Sequence, residues 1–193
     1  MAMDLFDRAV CFALEKHSGQ TRKTSKAPYI LHPMESAAIA GTITDDKEIL
    51  AACVLHDVLE DTGTTAEELT ALFGERVTKL VLSETEDKRR DRPASETWEK
   101  RKEESLMILK ETDDIAVKIV WLGDKLSNMR SYAREYAKKG DALWEGFHQK
   151  DPRKQLWLME RIADLLSELK EYPAYREMIG LMQYVFRDYL EKE

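Results

Sequence analysis

ILAACVLHDVLED, residues 49–61, is apolar almost throughout and ends in charge. Nothing in it alternates as a half-buried strand would, and the Asp45-Asp46 pair ahead of it supplies a cap, so it predicts a buried helix over about 46–60. His56 and Asp57 fall inside that helix, where an ionisable pair without a partner is costly to bury. A divalent cation is the most economical partner for a neutral imidazole beside a carboxylate. Glu60 and Asp61 follow four residues after His56 and Asp57, so helical spacing places both over the pair on the same face. The stretch therefore reads as a metal site with acid/base groups beside it. A plainer reading competes, because a buried histidine next to an aspartate is more often a simple N–H to carboxylate pair.

Two segments elsewhere favour the metal. His32 sits in PYILHP (28–33), where Pro33 suits the first turn of a new helix with His32 as its cap. Asp124 sits in IVWLGDKLSNMR (119–130), a second acidic group entering an apolar helical run. His32, His56, Asp57 and Asp124 together make a four-ligand set suited to Mn²⁺, Fe²⁺ or Zn²⁺. Helical periodicity recurs through the remainder. Residues 3–17 form an amphipathic helix, Thr65 and Glu68 a capping box, Asp113 or Asp114 starts a long helix closed by Gly140, and Asp151-Pro152 starts another over 153–171. The expected fold is all-α, a bundle of roughly eight to ten helices. SETEDKRRDRPAS (83–95), charged and holding a proline, is expected as a surface loop.

At 193 residues the chain is expected to form a single domain over 1–193, its motifs lying within about 1–135 and its C-terminal helices 153–190 packed on that part. The formal net charge of −7 argues against a nucleic-acid partner. No apolar run is long enough to span a bilayer, and MAMDLFDRAVCFALEK lacks the basic start of a signal peptide, so a cytoplasmic location is expected. Cys11 and Cys53 lie in apolar helical stretches and are expected to be reduced core residues. A homo-oligomer is compatible with the sequence, but no segment specifies an interface.

The order His32, His56-Asp57, Asp124 resembles the HD superfamily of metal-dependent phosphohydrolases. Within it, HSGQTRK (17–23), PYILHP, LHDVLEDT (55–62), FGERV (73–77) and LGDKLSNMR (122–130) resemble the hydrolase domain of RelA/SpoT-type stringent-response enzymes and the small alarmone hydrolases. The resemblance implies cleavage of guanosine 3′,5′-bis(diphosphate), ppGpp, at its 3′ position to GDP and pyrophosphate with one Mn²⁺. It implies His32, His56, Asp57 and Asp124 as metal ligands, Glu60 and Asp61 as the catalytic acidic pair, and Arg22, Lys23 and Asn128 as contacts to the nucleotide. The resemblance covers about residues 1–135, and the length that remains is expected to be too short for a synthetase domain. Two-metal members carry further histidines between the His-Asp pair and the last aspartate, and 58–123 has none, so a single ion is expected.

The chain departs from the family pattern in places. Lys125 and Ser127 stand where LADRLHNMR has Arg and His, the loop TSKA (24–27) is longer than its counterpart and lacks its glycine, and SETEDK (83–88) replaces GVTK. These departures are expected on substrate-facing parts, away from the metal set. Either Glu60 or Asp61 takes the proton of the attacking water, Glu60 being preferred. Arg22 and Lys23 are read as binding groups; the basic residues of 88–92 are read as a solvated loop, with a gating role left open. His17 is read as structural, His148 carries no pattern, and Tyr29 reads equally as site wall or core. Two other functions remain open: hydrolysis of another nucleotide or phosphorylated metabolite, and a silent module that binds a nucleotide without turning it over.

Overall fold

The computed structural model describes residues 3–190 apart from Thr24 and Arg90; the part of the loop 24–27 at Thr24 and of the basic stretch 88–92 at Arg90 lies outside the described residues. The chain is all-α. It runs α1 (Leu5–Lys16), α2 (Leu31–Ala40), α3 (Lys47–Leu55), α4 (Val58–Asp61), α5 (Ala66–Phe73), α6 (Glu75–Leu82), α7 (Ala94–Glu111), α8 (Ile115–Lys139), a 3₁₀ segment (Gly140–Gly146), α9 (Pro152–Leu165), a 3₁₀ turn (Ser167–Leu169) and α10 (Pro173–Val185). Among the described residues the β pairing is one isolated antiparallel bridge, Thr21 to Pro28. No described helix is long and apolar enough to cross a membrane.

Helix starts follow the caps. Asp46, Asp114 and Asp151 accept from the backbone N–H two residues on at the heads of α3, α8 and α9, and Thr65 accepts from the Glu68 N–H at 3.2 Å. Gly140 ends α8 at φ +55°, a backbone region that L side chains enter reluctantly.

Helices α3 and α8 are the buried axis. α3 is enclosed from Ala51 through Leu55, and α8 is buried continuously from Ala116 to Asp124, which no single amphipathic stripe would allow. α2 lies against both. Its approach to α8 depends on Gly123, where an added Cβ would stand 2.7 Å from the Ser36 hydroxyl and 2.8 Å from the Ser36 carbonyl. α10 packs against α8, with Arg130 of α8 on Glu177 and Tyr136 of α8 edge-on to Tyr184, and Trp144 stacks on Phe186 with ring centroids 5.1 Å apart.

The structure corrects four local expectations. The helix expected over 46–60 is broken: α3 stops at Leu55, His56 and Asp57 form a turn, and α4 is a single turn. The cause is local, because His56 Nδ1 bonds the Cys53 carbonyl at 2.7 Å, the acceptor that the Asp57 N–H would use in an unbroken helix. His32 is inside the first turn of α2 and not its cap, which is Ile30. Pro33, third in the helix, lacks a donor that would have no intrahelical partner there. Cys11 is exposed, and only Cys53 joins the core. Residues 84–89 are a tied strap and not a solvated loop, described next.

Candidate metal centre and acid pair

His32 from α2, His56 and Asp57 from the break after α3, and Asp124 from α8 converge at one buried point. The two imidazoles meet edge to face with Nε2 atoms 3.3 Å apart. Asp124 Oδ1 lies 2.9 Å from His32 Nε2 and 3.6 Å from His56 Nε2, while Asp57 Oδ2 lies 3.0 Å from His56 Nε2 and 3.6 Å from His32 Nε2. Ligands about 2.0–2.2 Å from one ion stand roughly 3–3.6 Å from their neighbours around it, so these separations are those of a coordination shell. His32, His56 and Asp124 are all buried, with ligand atoms within 4.8 Å of one another.

The far side of each ring supports the same reading. His56 Nδ1 faces a carbonyl, which can only accept, so Nδ1 carries the proton and Nε2 offers its lone pair inward. His32 Nδ1 faces Ser127 Oγ at 2.9 Å. Burial opposes charge on both rings and holds His32 below its ordinary value; at His56 the carboxylates of Asp57 and Asp124 overrule burial and hold the imidazole well above it. Burial alone would raise the two aspartates, yet His56 beside Asp57 and Lys125 beside Asp124 hold both below the carboxylate range. The cluster thus demands positive charge. Without a metal a proton on His56 supplies it, and a divalent cation supplies it better. The donor set fits a hard-to-borderline divalent ion.

Glu60 and Asp61 follow on α4. Tyr29 ties Asp61 to the metal cluster, its hydroxyl donating to Asp57 Oδ2 at 2.5 Å and lying 3.3 Å from Asp61 Oδ2. Tyr29 is therefore site wall, and the Asp57 and Asp61 charges join burial in pushing its phenol far above the ordinary value. Gln20 Nε2 donates to the Asp61 carbonyl at 2.9 Å, and His17 Nδ1 pairs with Gln20 Oε1 at 2.9 Å, so the HSGQ turn supports α4 from behind. Burial raises the Glu60 carboxyl against the opposing pull of Lys88.

Lys88 is where the structure overturns the solvated-loop expectation. Its Nζ lies 2.6 Å from Glu60 Oε2 and 3.4 Å from Asp61 Oδ1, while the Glu86 N–H donates to Glu60 Oε1 at 2.5 Å. The Glu86 side chain is clamped by Arg101 and Lys102 on α7, and Arg89 forks onto Glu104 at 2.6 and 2.7 Å. Residues 84–89 thus form a strap laid over the acid pair. The WEKRK segment of α7 exists in part to hold it.

Of the nucleotide-contact candidates, Arg22 and Asn128 are brought together and Lys23 is not joined to them. Arg22 donates to Asn128 Oδ1 at 2.7 Å, and Asn128 Nδ2 donates to Asp124 Oδ1 at 2.6 Å. Lys23 is exposed on the same loop. Lys125 and Ser127, expected to face substrate, instead support the metal cluster. Lys125 pairs with Asp124 Oδ2 and lies 2.9 Å from Glu84 Oε1, and its ammonium sits 4.5 Å from the centre of the Trp121 ring. Burial, partly offset by Lys125, lifts the Glu84 carboxyl to about 7. Ser127 is buried behind His32. Sequence reading gave Glu84 no role, took Lys88 as part of a solvated loop and expected Ser127 to face substrate; the signal was the departure of SETEDK (83–88) and of Ser127 from the family pattern.

A family model for the HD domain matches residues 9–152. Similar proteins include a guanosine-3′,5′-bis(diphosphate) 3′-pyrophosphohydrolase of Aquifex aeolicus, 40% identical over 124 residues, which are 64% of this chain and 17% of that one. A probable enzyme of the same description from Synechocystis is 40% identical over 166 residues, 86% of this chain and 20% of the other. A GTP pyrophosphokinase of Myxococcus xanthus is 37% identical over 131 residues, 67% of this chain and 17% of the other. The matched part is thus about a fifth or less of each relative's length. Among solved structures, a protein of Listeria monocytogenes EGD-e superposes with a TM-score of 0.70 at 27% identity, covering 81% of this chain and 99% of the other. A metazoan ortholog of SpoT, described as hydrolysing ppGpp, gives a TM-score of 0.71 at 23% identity over 97% of both chains, a likeness of fold.

Proposed function

The chain belongs to the HD domain family, and on that premise we propose that it is a divalent-metal-dependent phosphohydrolase that cleaves guanosine 3′,5′-bis(diphosphate) to GDP and pyrophosphate. The observation that carries this reading is that both imidazole Nε2 atoms stand within 3.6 Å of an Asp57 oxygen and of an Asp124 oxygen, with Glu60 and Asp61 on the next turn. These four would hold one ion, Mn²⁺ in our reading. When bound, such an ion polarises a phosphoryl oxygen and lowers the pKa of coordinated water.

The chain's own groups supply the remainder. Glu60, in a buried setting that favours proton uptake, accepts the proton of the attacking water at a carboxylate oxygen. Asp61, whose backbone carbonyl is held by Gln20, orients that water. Arg22 and Asn128 bind the nucleotide beside Asp124, and Lys23 meets it from the loop. In this reading the C-terminal helices belong to the same domain and the protein works in the cytoplasm.

A second reading, hydrolysis of another phosphorylated metabolite, is favoured by the strap 84–89, which replaces the family's GVTK segment at the acid pair. One experiment separates the two: product analysis for ppGpp and a panel of phosphorylated metabolites with Mn²⁺, Mg²⁺ or Zn²⁺. Pyrophosphate from ppGpp carries the first reading. Orthophosphate from monoesters alone replaces it with the second, and no metal-dependent turnover leaves a silent module.

A further inference from the structure

We infer that Glu35 is a positioning residue for the metal centre: acting through Ser127, it fixes the His32 imidazole with its proton on Nδ1 and its Nε2 lone pair aimed at the cation. The inference rests on the metal reading of the preceding subsection and adds a residue to it.

The argument is a count of protons along a chain of three groups. Ser127 Oγ lies 2.7 Å from Glu35 Oε2 and 2.9 Å from His32 Nδ1. A hydroxyl has one proton to give, and a carboxylate only accepts. Ser127 therefore spends its proton on Glu35 and turns a lone pair to the ring. His32 Nδ1 must then be the donor, which leaves Nε2 bare. Glu35 is held in place by Arg130 Nη1, 3.4 Å away, and Arg130 is in turn forked onto Glu177 of α10 at 2.7 Å through Nε and Nη2.

Without Glu35 the direction would be free to reverse. Ser127 could rotate and donate to His32 Nδ1, and the ring proton would move to Nε2. Asp124 Oδ1, 2.9 Å from that nitrogen, would welcome it. A ring in that tautomer offers the metal no lone pair. Glu35 and Ser127 oppose this outcome: Ser127 is 1% and His32 5% exposed, and solvent approaches them from the side of Glu35, whose side chain is 26% exposed.

The two imidazoles are thus oriented by unlike means. His56 uses the Cys53 carbonyl, which no substitution removes. His32 depends on two side chains, Glu35 one turn along its own helix and Ser127 three residues after Asp124 on α8. One face of α8 therefore carries one proposed ligand and the support of another.

The test reads tautomer and affinity, not turnover. Long-range ¹H–¹⁵N spectra of histidine-labelled, metal-free protein at pH 8 report which nitrogen of His32 is protonated, and competition with a chelating dye reports Mn²⁺ and Zn²⁺ affinity. In wild type the inference expects Nδ1–H at His32. Glu35→Ala and Ser127→Ala should shift His32 toward Nε2–H and weaken metal binding about 10–100-fold. Glu35→Gln, which keeps an acceptor oxygen, should restore most of the affinity. A residue that mattered only for packing would lower thermal stability in all three variants without moving the tautomer. Folded Glu35→Ala and Ser127→Ala proteins binding metal as tightly as wild type overturn the inference, as does an Nε2–H tautomer in wild type. Wild type that binds no divalent cation removes the metal reading, and this one with it.

Discussion

His32 Nε2 and His56 Nε2 face each other 3.3 Å apart, one carried by α2 and the other by the turn that interrupts α3 and α4. Two ring nitrogens with bare lone pairs do not approach so closely unless positive charge lies between them. With no metal a proton on one ring serves, and the raised value of His56, set by Asp57 and Asp124 against burial, identifies that ring. Metal binding must displace this proton. Below the raised value of His56, Mn²⁺ affinity should therefore climb about tenfold per pH unit, levelling off above it, with about one proton released per ion near pH 7. Calorimetry in buffers of unlike ionisation enthalpy measures that number, and a value of zero would count against the arrangement.

The proposed ligands and the acid pair should separate in a binding experiment. Asp124→Ala and Asp57→Ala remove ligand oxygens and should abolish both metal uptake and turnover. Glu60→Gln keeps the shape of the side chain and should bind metal as wild type does while losing about 10²–10⁴-fold in turnover. Equilibrium dialysis beside steady-state kinetics reads both. Full turnover in Glu60→Gln would move the proton-accepting role to Asp61.

The apolar period of 49–55 and the caps at Asp46, Thr65, Asp114 and Asp151 were legible in the sequence because helix starts are chemistry within a few residues. The break at His56 was not, because a helical pattern does not say that a ring nitrogen will take the Cys53 carbonyl. The strap was hidden for the opposite reason. SETEDKRRDR looks like solvated charge, and only the distant partners Glu60, Arg101, Lys102 and Glu104 convert it into a set of ion pairs. Ser127 likewise carries no local mark of its place behind His32, 95 residues away.

Lys125 and Glu84 form a pair with little solvent, their side chains 18% and 5% exposed, and Lys125 also neutralises Asp124. Replacing the lysine leaves Glu84 without its ion-pair partner in a poor dielectric and Asp124 with His56 as its remaining cationic neighbour. Lys125→Met should cost about 3 kcal/mol in urea unfolding of the metal-free protein. Adding Glu84→Gln should recover part of that loss, because the partner no longer needs the charge. Additive costs across the cycle would show that the two side chains do not act on each other.

Gly123 tests whether the α2–α8 approach sets the site. Alanine is the better helix former by about 1 kcal/mol, so a glycine in mid-helix needs a reason. At Gly180 in α10 an added Cβ meets nothing within 4 Å, and Gly180→Ala should stabilise the protein by several tenths of a kcal/mol to about 1. At Gly123 the same methyl would stand 2.8 Å from the Ser36 carbonyl, a backbone atom that cannot swing aside. Overpacking of this kind costs about 1–3 kcal/mol, which exceeds the gain in propensity, so Gly123→Ala should lower the melting temperature where Gly180→Ala raises it. The displacement has a direction. Pushing α2 off α8 draws His32 away from Asp124, so the alanine at 123 should also weaken metal binding, and Gly180→Ala should leave it unchanged. Melting curves with and without Mn²⁺ read both effects, because a ligand that binds the folded state stabilises it by an amount that rises with the logarithm of its affinity. A metal-induced shift of equal size in Gly123→Ala and wild type would mean that helix spacing does not govern the site.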